Sequence, residues 1–265
     1  MTVVHALTVA GSDPSGGAGV QADLKTFSAL GAYGCAVLTA LTAQNTRGVS
    51  GVHLVPAGFV TEQLETLLAD VRVDTVKIGM LATAGIARAV RDVLAAHRLP
   101  VVVLDPVMVA TSGDRLLDDD AVEAVRELLP LASLVTPNLP EAAALLGEDV
   151  VTEPSGMAAQ AQRLRRAGAE RVLLKGGHLE GDAVDVLAGP DGVVEFTAKR
   201  IDTPNTHGTG CSLSSAVAAL RPQRESWVQA VDDAKTWLTG AIAASDQLDV
   251  GSGHGPVHHF HGLWH

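Results

Sequence analysis

The sequence predicts a doubly wound α/β domain, a mainly parallel central sheet with helices on both faces. Three observations predict it. Short Val/Ile/Leu runs alternate with segments of helical spacing along almost the whole chain. The runs are continuously apolar, as strands covered on both faces by helices must be, where a half-solvated strand would alternate. No repeat, low-complexity tract or Pro/Gly/Ser-rich linker divides the 265 residues, so one domain over 1–265 is expected, with enough apolar sequence for a large core.

The elements follow in order. "VVHALTVAG" reads as the first strand and "QADLKTFSALGA" as the helix after it. "CAVLTALTAQ" reads as one strand, "TEQLETLLADV" as a helix, "TVKIGML" as a strand and "IARAVRDVLAAH" as a helix. The alternation continues with "PVVVLDPV", "AVEAVRELL", "SLVTP", "MAAQAQRLRRAG" and "RVLLKGG". "DAVDVLAG" and "VVEFTAKRI" then form an antiparallel pair, and two closing helices start at about Gly210 and Ser226.

A net charge of −11 argues against nucleic acid or an anionic membrane as a general partner, because both need a basic stripe. A phosphate-bearing ligand would have to be held locally, by helix N-termini, a few lysines and a divalent cation. The first thirty residues lack a signal-peptide pattern, and no apolar run approaches the roughly 20 residues of a membrane span; the chain reads as cytoplasmic. Two cysteines, Cys35 and Cys211, make no disulfide framework, and Cys35 reads as a buried, inert thiol. The terminal "GHGPVHHFHGLWH" is too interrupted for a tag and reads as native sequence packed near the site.

In open α/β sheets ligands bind beyond the carboxyl ends of the strands, and the unusual residues lie there. "AGSDPSGGAGVQADLKT" has four glycines within residues 11–19, more than one turn requires, which suits close approach of a flat ligand. Its "GAGVQA" outlines a dinucleotide fingerprint. The ribose-binding acid due about twenty residues on is missing, which argues against a dehydrogenase, and no Gly-Lys-Ser/Thr makes it a Walker loop. "NTHGTGCSLSSAVAAL" is a glycine-flanked turn opening a helix. It reads as an ordinary helix start or as an anion hole made by the amides of Gly208, Thr209, Gly210 and Cys211. A cysteine at such a terminus is expected to have a depressed pKa, and this favours the functional reading.

The segments "AGSDPSGGAGVQADLKT", "LTAQNT", "KIGML", "DPVM", "TPNLPEA", "LLKGGH", "NTHGTGCSLSSA" and "GHGPVHHF", in this order over nearly the whole chain, strongly resemble the hydroxymethylpyrimidine and hydroxymethylpyrimidine phosphate kinases of thiamine synthesis. That is a branch of the ribokinase-like superfamily. The resemblance implies a ribokinase-like fold with a small or absent lid, ATP as donor, Mg²⁺ and a homodimer. It also implies two successive phosphorylations, first of 4-amino-5-hydroxymethyl-2-methylpyrimidine and then of its monophosphate.

On that resemblance Asp105 and Glu141 hold the magnesium, although Asn138 and Glu141 equally form an Asn-x-x-Glu capping box. Lys175, with Asn138 and Thr206, contacts ATP, and the hole at Gly208–Cys211 receives the transferring phosphoryl group. Gln44 holds the pyrimidine: a glutamine amide pairs at once with a ring nitrogen and an exocyclic amine, as it does on adenine. Gly11, Asp13, Ala18, Asp23, Met80 and Val107 complete the pocket; Met80 reads equally as core filler and Asp23 as a first-turn helix acid. Cys211 stands where ribokinase-like sugar kinases carry an aspartate base, which argues against a sugar acceptor. Thr111 stands where many relatives carry lysine, removing one phosphate-facing charge. A pyridoxal kinase is the nearest alternative, and a non-catalytic pyrimidine sensor is a second that the intact Asp105, Glu141 and Lys175 disfavour.

Overall fold

The computed structural model describes residues 2–108, 121–177, 179 and 181–264; Thr111 lies outside them. The elements run β1 (Val4–Ala10), α1 (Gly19–Ala29), β2 (Ala32–Leu38), β3 (Ala40–Asn45), β4 (Gly48–Leu54), α2 (Ala57–Leu68), β5 (Thr75–Ile78) and α3 (Ala84–His97). They continue with β6 (Val102–Leu104), α4 (Ala121–Arg126), β7 (Leu134–Val135), α5 (Leu139–Leu146), α6 (Pro154–Arg166), β8 (Val172–Lys175), β9 (Ala183–Gly189), β10 (Gly192–Ala198), α7 (Thr209–Leu220) and α8 (Trp227–Ala243).

Eight strands form one sheet in the order β10-β9-β8-β7-β6-β5-β1-β2. From β2 through β8 all pairings are parallel, and β9 and β10 add an antiparallel edge. Side chains alternate between the faces. Leu7, Val9, Val76, Ile78 and Leu104 pack against α2 to α6, whereas Ala6, Val103, Leu134 and Leu173 pack against α1, α7 and α8. This alternation sends Thr8 and Lys77 to the α1/α7 face, and both are fully buried there. The order reverses at β1, with β2 on one side and β5 on the other, so the crevice expected to bind ligand opens beside Gly11 and Gly79.

One expected element divides. "CAVLTALTAQ" is two strands broken at Thr39, and β3 pairs with an unforeseen β4 in a hairpin separate from the main sheet. No apolar break in the sequence marks the division, because tertiary bonds make it. The Thr39 amide donates to the Ala10 carbonyl, its carbonyl accepts from Val55 N–H, and its hydroxyl donates to the Met80 carbonyl at 2.6 Å. β4 is mostly exposed, so burial gave no pattern to read. Among the described residues no helix is long and apolar enough to cross a membrane.

Candidate active site

A cavity of about 1000 Å³ opens at the carboxyl ends of the parallel strands. The glycine-rich stretch forms one wall. Gly19 has φ +56° and a Cβ there would lie 2.3 Å from the Gly11 carbonyl oxygen, so only glycine lets the loop close on itself. Asp13 organises this loop: its carboxylate accepts from the Ser15 amide (2.8 Å) and hydroxyl (2.7 Å), the Gly17 amide (3.2 Å) and the Ala18 amide (2.8 Å). His207 Nε2 stands 2.7 Å from the same carboxylate. Burial alone would raise the Asp13 pKa, but the contacts from His207 and Ser15 bring it down to about 2. The stability this supplies is present above the ordinary carboxylate value of 3.8 and is lost as pH falls toward about 2.

The Asp13–His207 pair ties the glycine loop to the turn that opens α7. Gly208, the N-cap of α7, has φ +75°, and a Cβ there would sit 1.8 Å from the Gly17 carbonyl oxygen. The two loops therefore touch backbone to backbone. Thr209 Oγ1 donates to the Thr206 carbonyl (2.7 Å), bracing the turn, while the first amides of α7 have by position no partner inside their own helix. Gly208, Thr209, Gly210 and Cys211 all line the cavity.

Cys211 is a half-buried free thiol on the cavity wall. Its expected pKa is corrected by the structure. Burial pushes the thiol up; Lys77 and the Gly19 amide pull it down, but Asp23 and Asp105 add to the rise. The helix terminus alone does not make a thiolate, because burial of the thiol opposes its ionisation and the charges of Asp23 and Asp105 add to that.

Lys175 leaves β8 and donates to Asp105 Oδ1 at 2.9 Å. Asp105 also accepts from Thr136 Oγ1 (3.1 Å) and, at Oδ2, from Ser214 Oγ (3.1 Å), so β6, β7, β8 and α7 converge on one carboxylate. Burial would lower the Lys175 pKa, but Asp105 and Glu141 raise it. Both halves of the capping box are present: Asn138 Oδ1 accepts from the Glu141 amide and Glu141 Oε2 from the Asn138 amide, each at 2.8 Å. Burial and the nearby Asp105 raise the Glu141 pKa to about 7, against the pull of Lys175. Two buried carboxylates, one of which raises the pKa of the other, suit a divalent cation that would relieve their repulsion. Among the described residues no group of three or more His, Cys, Asp or Glu forms a closed metal site.

Gln44 sits at a bulge in β3, half-buried. The Thr42 hydroxyl lies 2.8 Å from the Ser12 carbonyl oxygen and 3.2 Å from Gln44 Oε1, the two acceptors sharing its one hydrogen. Gly11 brings its backbone against Met80, where a Cβ would lie 3.1 Å from the sulfur. The cavity collects Gly11, Asp13, Ala18, Gln44, Met80, Val107, Asn138, Lys175 and Thr206 with the residues above. Asp23 is the exception. Its carboxylate is fully buried below the cavity, held by Lys77, Thr8 and Ser215, because its position on α1 faces the core. Lys77, His207, Asp185 and Lys235 line the cavity without having been singled out.

The C-terminal segment packs here too. Gly253 and His254 donate to Thr46 at the tip of the β3–β4 hairpin, Gly255 accepts from the His207 amide, and Pro256 bridges to His207. One strap thus joins the hairpin carrying Gln44 to the turn before α7. Truncation after Asp249 is expected to lower thermal stability by several degrees and to raise KM for the acceptor, both measurable on the purified variant.

The description "phosphomethylpyrimidine kinase" belongs to the family model that matches residues 13–258. The chain is 56% identical over 266 residues, all of both chains, to a hydroxymethylpyrimidine/phosphomethylpyrimidine kinase of Salmonella typhimurium. It is 52% identical over 255 residues to a thiamine biosynthesis bifunctional protein of Geobacter sulfurreducens, covering 96% of this chain and 51% of that one. Among solved structures, the ADP complex of Bacillus subtilis pyridoxal kinase shares 36% identity with a TM-score of 0.89, over 97% of this chain and 98% of that one.

Proposed function

The chain belongs to the phosphomethylpyrimidine kinase family, and from that premise we propose that it phosphorylates 4-amino-5-hydroxymethyl-2-methylpyrimidine with ATP, and then the monophosphate, in thiamine biosynthesis. The observation that carries this reading is one cavity lined by Gln44, by the amides of Gly208–Cys211 and by Lys175, Asp105 and Glu141. An amide that can read an aminopyrimidine thus shares its enclosure with a phosphate hole and an acid–lysine cluster.

In the transfer, an electron pair of the hydroxymethyl oxygen forms the new bond to the γ-phosphorus. The bond to the β–γ bridging oxygen breaks, and ADP leaves with that pair. The hydroxyl proton is released late and passes to the sulfur of Cys211, which accepts it only in its ionised form. Because such transition states are loose, positioning and charge neutralisation carry most of the catalysis. The α7 amides and Lys175 take the charge on the transferring oxygens. Mg²⁺, when bound, neutralises the phosphates, and Asp105 and Glu141 would hold it. The unit is a single domain spanning the chain, acting in the cytoplasm as a homodimer, a state that light scattering would test.

A second reading, phosphorylation of pyridoxal, is favoured by the likeness to the Bacillus subtilis enzyme, whose named substrate also carries a hydroxymethyl group on a six-membered nitrogen ring. Gln44 discriminates. Gln44→Leu is expected to raise KM for the pyrimidine by about 30-fold or more, since two hydrogen bonds are lost. KM for ATP should stay within about twofold, because Gln44 does not touch the donor. An unchanged KM for the pyrimidine would remove Gln44 from recognition.

A further inference from the structure

We propose that His259 is a positioning residue for the transfer step: its imidazole holds the Ser212 hydroxyl and so fixes, from outside the helix, the first turn of α7 where the phosphoryl group is received. The role of that turn rests on the kinase reading; the bond that holds it does not.

A helix terminus whose amides face a ligand cannot also give them to a capping side chain. Gly208 is the N-cap of α7 and makes no side-chain cap, so other elements must hold the turn. Ser212 closes it, its amide donating to the Gly208 carbonyl at 2.8 Å. The Ser212 side chain is fully buried, and its Oγ stands 3.0 Å from His259 Nε2. Thr26, Ser214 and Thr239 bond back to carbonyls one turn earlier on their own helices. Ser212 instead reaches a residue 47 positions away.

His259 is itself held. It is buried and packs beside Trp237 of α8, with ring centroids 6.3 Å apart. The amide of its neighbour His258 donates to the Ala241 carbonyl at 2.9 Å, which anchors the segment on α8. A few residues earlier the same segment meets the other parts of the phosphate side. The Gly255 carbonyl accepts from the His207 amide at 3.0 Å, and a Cβ at Gly17 would lie 3.1 Å from the Pro256 Cβ. Residues 255–259 thus touch the turn before α7, the glycine loop and the first turn of α7 in succession. Burial, with Lys25 and His258 adding to it, brings the His259 pKa down to about 3. The imidazole is therefore neutral near pH 7 and acts through its place, not through a charge.

The test compares the parent with Ser212→Ala, His259→Leu, the two combined, and His259→Gln, whose amide can still bond a hydroxyl. Hydrogen exchange of peptides spanning the start of α7 is followed by mass spectrometry, and kinetics are taken well below the lowest Tm. Each of the first two variants is expected to speed exchange there about fivefold, the worth of one hydrogen bond. kcat should fall about tenfold, because the amides lose their aim, while KM for ATP stays within about twofold. The combined variant should be no slower than the worse single one, since both break the same bond. His259→Gln should recover most of the lost kcat.

Parental kcat in both single variants overturns the proposal; with a lower Tm, it would mean that His259 only supports the core. Losses of kcat that multiply in the combined variant overturn it too, since the two side chains would then act separately. So does a fall in kcat with parental exchange at the start of α7. A parent protein without transferase activity would count against the kinase reading, and the exchange comparison would still show whether His259 holds the turn.

Discussion

Cys211→Ala is expected to lower kcat about 10²- to 10³-fold, the range for removing a positioned proton acceptor, with KM for ATP nearly unchanged. The backbone amides of α7 do not depend on the side chain at this position, so the proposed phosphate hole survives the substitution. Lys175, Asp105 and Glu141, the groups proposed for the donor side, keep the bonds of Asp105 to Lys175, Thr136 and Ser214 and of Glu141 to Asn138. Cys211→Ser should be almost as slow, because an alcohol of nearly the same size is far more reluctant to ionise than a thiol. Steady-state kinetics with both variants separates chemistry from packing. Near-normal turnover in either would show that the loose transition state releases its proton without this residue.

The second large effect is expected at Gly208. Gly208→Ala would place a Cβ 1.8 Å from the Gly17 carbonyl oxygen at φ +75°. The neighbouring atom is backbone, so the conflict cannot be relieved by a rotamer change. The left-handed conformation adds about 1 kcal/mol for a non-glycine residue, but the larger consequence is displacement of the glycine loop from the turn of α7. The α7 amides and the Asp13–His207 bond at 2.7 Å would lose their register. Loss of kcat by about 10²-fold or more is expected, as for an oxyanion donor moved out of place, together with a lower Tm. A variant with parental kcat and Tm would mean that the contact between the loops is not needed.

Much of this site was legible because its residues stand at strand ends, where α/β sheets bind ligands. The glycine loop, the carboxylate that ends "VVVLD", the lysine after "RVLL" and the turn before α7 all follow from that rule. What was not legible depends on which way a side chain turns in three dimensions. Asp23 looked like a first-turn acid near the pocket, yet its face of α1 turns it down to Lys77. Lys77 itself left a trace, a single lysine inside the short apolar strand "TVKI", where a charge needs a partner. His207 was visible only as part of a turn, since its partner Asp13 is 194 positions away. The pKa of Cys211 could not be read from its helix terminus, because it is raised by burial first and then by carboxylates that come from α1 and from the end of β6. The break at Thr39 was hidden for a similar reason: its bonds run to Ala10, Val55 and Met80.

The central claim is the identity of the acceptor, and the most direct measurement of it is ADP release with magnesium ATP and each of three acceptors: the hydroxymethylpyrimidine, its monophosphate and pyridoxal. Products are weighed by mass spectrometry, so that each added phosphoryl group is seen. Turnover on both pyrimidines, with the diphosphate as final product, is the predicted result, and it would also show that Thr111 is tolerated in the second step. Turnover on pyridoxal with neither pyrimidine consumed would contradict the account and overturn the assignment of Gln44.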